Sequence, residues 1–255
     1  MISIITITYN NYEALLKTIN SIPDFDFIES VIINGGSCER TNDYLKSYTG
    51  VAITEKDEGI SDAFNKGIKH SSGNYIMFLN SGDELVDQSY LKKAMDFLDT
   101  NNGYSFVHSN INFIDESGEK LYIRPPMKNL GRGMPYLHPT MIIRKNVFDE
   151  IGLFRTDLKI AMDYDFIVRM ENAGLKGFYL DKIYPVKMEG TGKSVKQESE
   201  AIKECLKILR ENNQLGLKNI SGFSVRYILF IVRKILVVAG LNKLLLNMKK
   251  LKHKA

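Results

Sequence analysis

Apolar and polar positions alternate along the first hundred residues at the lengths of strands and helices. Ile2 to Thr8 is a β-branched run that Tyr9-Asn10-Asn11 ends, which predicts a first strand. Asn10 and Glu13 are spaced like a helix start. Leu15, Ile19 and Ile22 then recur at helical spacing until Pro23 closes the segment. Ser30 to Ile33 reads as a second strand, followed by Asn34-Gly35-Gly36-Ser37, where two glycines permit a tight turn or close backbone approach. Thr41 to Tyr48 reads as a short helix and Val51 to Thr54 as a third strand. Asp57-Glu58-Gly59 opens another helix, with Ile60, Ala63, Phe64 and Ile68 as its buried stripe. Tyr75 to Leu79 is a short apolar run bounded by Gly73 and by Ser81-Gly82, as expected of a strand buried on both faces of a parallel sheet. This βαβαβ order is the pattern of a nucleotide-binding half-sheet, and Asn80-Ser81-Gly82-Asp83 would sit just past a strand's carboxyl end, where open α/β sheets bind ligands. An aspartate fixed there can hold a divalent cation through oxygen ligands.

The second half is less regular. Gln88 to Leu98 predicts an amphipathic helix with Leu91, Met95 and Leu98 on one face. Ser105–His108, Ile111–Ile114 and Leu121–Ile123 read as strands, the last two joined by the hairpin-like turn Asp115-Glu116-Ser117-Gly118. A loop holding Pro125-Pro126 and Gly131-Arg132-Gly133 leads to Leu137-His138-Pro139-Thr140. Asn146–Ile151 and Asp163–Ala173 read as helices, the second with Phe166, Ile167, Met170 and Ala173 as its stripe. Gly190-Thr191-Gly192-Lys193-Ser194 is not a phosphate loop, because Lys187 stands where the first glycine belongs. A helix over Ser194–Asn212 follows. Tyr227 to Leu241 is then apolar apart from Arg233-Lys234, and its 15 residues fall short of the ~20 that span a bilayer.

Charge sharpens the picture of that tail. The chain has 255 residues and a net charge of +4, but Arg226 to Ala255 contains eight Lys/Arg and no Asp or Glu, so the remainder carries −4. A mildly acidic body is not a nucleic-acid binder, and a basic apolar tail is a separate device. The length suits one domain with an appendage, residues 1–215 and 216–255. Cys38 and Cys205 match no metal or disulfide spacing and read as free thiols. The N-terminus enters its first strand without a basic leader segment, so no signal peptide is expected.

The order strand-Thr8-Tyr9-Asn10, strand-Asn34-Gly-Gly-Ser, Asp57-x-Gly-x-x-Asp62-Ala-x-Asn65-x-Gly, strand-Asn80-Ser81-Gly82-Asp83, then Ala161-Met-Asp163-Tyr-Asp165 with Arg169, resembles the family 2 glycosyltransferases. The resemblance covers about residues 1 to 195. It implies the GT-A fold, a Rossmann-like, mostly parallel sheet flanked by helices, here with a donor half near 1–100, an acceptor half near 101–195 and a helical tail. It implies that Thr8, Tyr9, Asn10, Asn34, Asp57, Asn65 and Lys66 meet the donor nucleotide. Asn34 departs from the usual aspartate, though an amide can still pair with a pyrimidine edge. Asp83 matches the metal-contacting member of the family's acidic triplet, implying Mn²⁺ or Mg²⁺, with one carboxylate fewer than usual. Asn80, Ser81, His138, Asp165 and Arg169 are candidates beside the transferred or accepting sugar, and Lys193 is one for the diphosphate. Asp163 matches the general base, which a helix N-terminus would keep ionised.

Position alone leaves other readings open. Asp62 and Asp163 also suit helix caps, His138 also suits a structural role, and Arg169 suits orienting the base region. The expected activity is inverting transfer from a nucleotide sugar, a UDP-hexose, to a hydroxyl of a glycan or lipid-linked acceptor in surface polysaccharide synthesis. The tail would lie on the inner face of the cytoplasmic membrane or pack on the body or a partner chain, and a homodimer is compatible with the sequence. The alternative is a non-catalytic sugar- or partner-binding module on a degenerate scaffold. A nucleotidyltransferase is disfavoured, because no Gly-rich, Arg/Lys-bearing loop follows the first strand.

Overall fold

The computed structural model describes residues 1–36, 38–115, 118–122, 130–189, 197–239 and 241. In chain order its elements are β1 (Ile2–Thr8), α1 (Tyr12–Ile19), β2 (Ile28–Asn34), α2 (Glu39–Lys46), β3 (Val51–Thr54), α3 (Ile60–His70), β4 (Tyr75–Phe78), β5 (Glu84–Leu85) and α4 (Ser89–Thr100). Then come β6 (Phe106–His108), β7 (Ile111–Asp115), β8 (Gly118–Tyr122), β9 (Ile142–Arg144), α5 (Asn146–Ile151), α6 (Met162–Asn172), β10 (Gly177–Tyr179), β11 (Val186–Glu189), α7 (Glu198–Glu211) and α8 (Leu217–Val238). Ser37, the turn residues 116–117, the prolines within 123–129, the loop 190–196 that holds Lys193, and the lysines of 242–255 lie outside the described residues.

A seven-stranded sheet runs β10-β6-β9-β4-β1-β2-β3. The expected half-sheet is there: β1 pairs in parallel with β2 and with β4, and β2 with β3. Ile5, Ile76 and Phe78 face one core, while Ile2, Ile4, Tyr75, Met77 and Leu79 face the other. Helices cover both faces, which is why these strands read as continuous apolar runs rather than alternating ones. The fold is the mostly parallel GT-A arrangement. β9, which the apolar pattern does not predict, enters antiparallel between β4 and β6. A second sheet, β5-β11-β7-β8, contains the expected hairpin and two further short strands.

Three expectations shift. The cap of α1 is Asn11, whose side chain accepts from Ala14 N at 3.2 Å. Asn10 instead adopts φ 52°, turning the chain ahead of the helix. Ala173 lies exposed past the end of α6, so the buried stripe ends at Met170. The tail is not a separate appendage from its start, because α8 packs on the body. Phe223 is fully buried against Tyr164. Asn219 Oδ1 accepts from Gly131 N at 2.9 Å. A Cβ at Gly222 would fall 2.4 Å from Gly131 O, so only glycine allows this approach. The opposite side of α8 stays open, with Ile235 60 % and Val238 89 % exposed. Among the described residues no helix is long and apolar enough to cross a membrane.

Candidate active site

The carboxyl ends of β1 and β4 and the start of α3 enclose a cleft of about 630 Å³, and Thr8, Tyr9, Asp57, Asn80 and Ser81 line it over an apolar floor that includes Ile60 and Ala63. Thr8 Oγ1, Asn80 Oδ1 and Ser81 Oγ are buried there with no hydrogen-bond partner among the described residues. Orphaned polar atoms are uncommon in protein interiors, and three of those among the described residues converge on this cleft, where a ligand's polar groups could pair with them. Tyr9, 73 % exposed, stands at the rim. Asp57 sits close under the turn after β2, where a Cβ on Gly35 would lie 1.9 Å from its Oδ2. A side chain at position 35 would have to displace that carboxylate.

The other expected nucleotide residues are engaged inside the protein. Lys66 Nζ is held by Asp57 at 2.8 Å, Asp62 at 3.0 Å and Glu55 at 3.0 Å, and these bonds outweigh burial and push its ammonium well above the usual lysine range. Asp62 also accepts from Glu58 N at 3.0 Å, so it caps the entry to α3 from inside the first turn. Asn34, fully buried, donates to Asn42 Oδ1 at 2.7 Å and accepts from Gly36 N at 3.1 Å, which fixes the turn into α2. Asn65 makes a two-way bond with the backbone of Phe154, at 2.8 and 2.9 Å, tying α3 to the segment after α5. Neither amide is among the residues that line the cleft, and both are engaged in these internal bonds. Asn10 Oδ1 accepts from Cys38 N at 2.9 Å and bridges the loops after β1 and β2.

The acidic turn is built by Thr18 of α1, whose Oγ1 lies 2.8 Å from both Asp83 O and Gly82 N. Gly82 takes φ 104°, a conformation that favours glycine and explains its place in the triplet. Asp83 is 7 % exposed. Among the described residues no three His, Cys, Asp or Glu side chains cluster as a metal site. Asp83, whose N–H donates to Asn80 O at 2.9 Å, is not among the cleft's lining residues, and one carboxylate is a donor type that Mg²⁺ or Mn²⁺ takes alongside water and phosphate oxygens. His138 lies beneath, stacked on Phe78 at 5.3 Å and near Phe64 at 5.8 Å, and burial pulls its pKa down to about 4. Its Nε2 has no partner among the described residues.

Asp163 occupies the first turn of α6. The segment before it is held by Glu204 of α7, which accepts from Lys159, Ile160 and Ala161 N–H groups at 3.0, 3.0 and 2.8 Å. Asp163 Oδ1 accepts from Tyr164 N at 2.7 Å. The helix terminus does not dominate here: burial, with the Glu204 charge adding to it, outweighs that bond and lifts the Asp163 carboxyl to about 6. Asp165 is fully buried and pairs with Arg169 at 2.8 Å and Arg155 at 3.5 Å. Arg169 spends its other donors on the carbonyls of Ile151, Gly152 and Leu153, at the end of α5. Together these two residues tie α6, which carries Asp163, to the end of α5.

Asp163 lines a second cleft, about 530 Å³, whose other walls include Glu198 and Cys205 of α7 and Arg226 and Arg233 of α8. None of the first cleft's lining residues lines this one. Glu204, Glu198 and the two arginines carry no motif. The only signal for the arginines was the presence of charges in an otherwise apolar tail, and the two glutamates, on α7, had none.

The family model described as Glycosyl transferase family 2 matches residues 3–158. A protein of Mycobacterium tuberculosis named as a glycosyltransferase is 28% identical over 183 residues, covering 66% of this chain and 68% of that one. Among solved structures, Staphylococcus aureus TarS 1-349 in complex with UDP-GlcNAc superposes with a TM-score of 0.64 at 18% identity, covering 83% of this chain. This chain spans 65% of that structure's length. The mannosyltransferase PcManGT of Pyrobaculum calidifontis, in complex with GDP-Man and Mn²⁺, gives a TM-score of 0.61 at 14% identity, covering 88% of this chain and 72% of that one. At such identities the two structures speak to the fold.

Proposed function

Since the chain belongs to glycosyl transferase family 2, we propose that it moves a sugar from a nucleotide sugar to an acceptor hydroxyl with inversion at the anomeric carbon. The observation that carries the reading is the first cleft. It lies at the carboxyl edge of the sheet, where α/β folds bind nucleotides, and presents three orphaned oxygens there. Structures of the same fold hold UDP-GlcNAc in one case and GDP-Man with Mn²⁺ in the other. The donor proposed here is a UDP-hexose, with Thr8, Tyr9 and Asp57 around the nucleoside and Asn80 and Ser81 toward the diphosphate. Asp83, with Asn80 Oδ1, would hold Mg²⁺ or Mn²⁺, which when bound offsets the charge that builds on the leaving diphosphate.

Asp163 is the base. At pH 7 a carboxyl near 6 is mostly ionised yet a better proton acceptor than an ordinary aspartate. It takes the acceptor hydroxyl's proton as that oxygen bonds to the anomeric carbon. The bond from that carbon to the diphosphate breaks on the opposite face, and the nucleoside diphosphate leaves with the electron pair. Asp165, Arg169 and Glu204 keep the base's helix in place. His138, neutral in its aromatic stack, shapes the wall between β4 and α3.

The acceptor proposed is a glycan or lipid-linked saccharide of surface polysaccharide synthesis. The open apolar side of α8, with the lysines beyond it, rests on the anionic inner face of the cytoplasmic membrane. A panel of nucleotide sugars, assayed for hydrolysis and transfer with Mn²⁺ or Mg²⁺, tests the reading. One UDP-sugar should turn over, and Asp83→Ala should slow it at least about tenfold. A folded chain that turns over no donor in the presence of acceptor would sink the enzyme reading.

A further inference from the structure

The second cleft has a chemistry that general glycosyl transfer does not require. Resting on the reading above, we propose that it binds an anionic group of the acceptor, a phosphate ester close to the reacting hydroxyl, and that Arg226 and Arg233 of α8 are the residues that take it. Both arginines line the cleft that Asp163 lines. Glu198 stands between them, 3.3 Å from Arg226 Nε and 3.0 Å from Arg233 Nη2. Two guanidiniums therefore share one carboxylate. Among the described residues, the remaining acid in the lining is Asp163 itself. Once Asp163 holds the acceptor's proton, the described residues of the cleft carry one positive charge in excess. A guanidinium offers five N–H donors in a plane matched to phosphate oxygens, and among the described residues the pair's bonds to Glu198 and to Leu229 O use only a few of theirs.

A purely structural role for the pair is the competing account, and magnitudes disfavour it. Both arginines are partly exposed, and ion pairs of that kind contribute about 0–1 kcal/mol. The helix is anchored instead by the buried Phe223, by the Asn219–Gly131 bond and by the close Gly222–Gly131 contact. One arginine would satisfy Glu198, and the second is surplus to docking. Val225 and Leu229 on the same helix add an apolar wall beside the arginines. Sugar hydroxyl at Asp163, phosphate at the arginines and an apolar chain along α8 is the order of groups in an amphiphilic sugar phosphate.

Calorimetric titration of the full chain saturated with UDP tests this, using octyl phosphate, octyl glucoside and inorganic phosphate as probes. Octyl phosphate should bind at least about tenfold more tightly than either of the others, since a charged hydrogen-bonded contact is commonly worth one decade of affinity or more. The double variant Arg226→Gln/Arg233→Gln should lose about tenfold or more of that affinity. Glu198→Gln frees both guanidiniums and should tighten binding. Loosening of the helix alone would shift both variants in the same direction, so equal shifts, or none, overturn the proposal. So does displacement of octyl phosphate by UDP, which would place it in the donor cleft, or inorganic phosphate binding as tightly as octyl phosphate, which would make the site one for free anion. A chain that binds UDP but not octyl phosphate loses this subsite and keeps the transfer reading. One that binds octyl phosphate through the arginines but not UDP keeps the subsite and loses the transfer reading.

Discussion

Asp163 is costly to the fold in the state that makes it useful. Its carboxyl titrates near 6 in the folded chain against an ordinary aspartate value of 3.8. A raised folded-state pKa means that the protonated form is the favoured one. Below pH ~4 both folded and unfolded chains are protonated there and the residue costs nothing. From pH ~4 to ~6 the unfolded chain ionises first, stability falls, and above ~6 the penalty is complete, on the order of 3 kcal/mol. Asp163→Asn keeps an oxygen for Tyr164 N and removes the charge. It should unfold at higher urea than the native chain at pH 8 and show no difference at pH 3.5, while transfer falls about 10²- to 10⁴-fold. The native enzyme's kcat/KM should drop on the acid side with a midpoint near 6. An unchanged stability at pH 8, or activity retained by the asparagine variant, would remove Asp163 from its role. At this scale the sequence offers candidate residues but not their partners. Asn65 reads as a nucleotide contact because it sits in the right motif, yet its amide is bound to Phe154, 89 residues away. Such a pairing leaves no local trace.

Elements of the sheet were legible in proportion to their length and burial. β1, β2 and β4 are runs of four to seven apolar-rich residues buried on both faces, and composition alone marks them. β5, β9 and β10 have two or three residues, and their strand character comes from the neighbours they pair with rather than from any period of their own. The same dependence on neighbours governs α5 and α6. Gly152 ends α5 with φ 82°, and Arg169 of α6 supplies donors to the three carbonyls left there while neutralising Asp165. Arg169→Leu should therefore do more harm than losing an exposed pair would. It strands a fully buried carboxylate with only the longer Arg155 contact at 3.5 Å. Removing one partner of a buried pair commonly costs about 3–5 kcal/mol. Urea unfolding should show a loss of that size, and Arg169→Lys, with one point charge for a planar fork, should recover only part of it. A loss under about 1 kcal/mol would mean that Asp165 finds solvent or a proton instead.

Over the whole molecule, the charge asymmetry seen in the sequence gains a location but changes meaning. The basic apolar tail begins as a wall of the second cleft, so cutting it away would strip Phe223 from Tyr164 and open the body along with any membrane contact. Truncation is thus the wrong test of membrane binding. The open side of α8 offers a cleaner one. Ile228, Ile235 and Val238 are exposed and take no part in docking the helix. Glutamate at all three removes the apolar contact, worth roughly 1 kcal/mol or more per side chain when inserted, and adds charge that an anionic leaflet repels at about 1 kcal/mol each. The native chain should sediment with phosphatidylcholine vesicles containing about 30% phosphatidylglycerol, less so at high salt as screening shortens the reach of the lysines. The triple variant should stay in the supernatant at the same thermal midpoint, because surface changes away from packed contacts usually alter stability by less than about 0.5 kcal/mol each. The salt series decides which force leads: an apolar-driven contact survives in part where a purely electrostatic one vanishes. If the triple variant sediments like the native chain, the outer face of α8 is not what meets the membrane, and the tail's exposed apolar side needs another occupant.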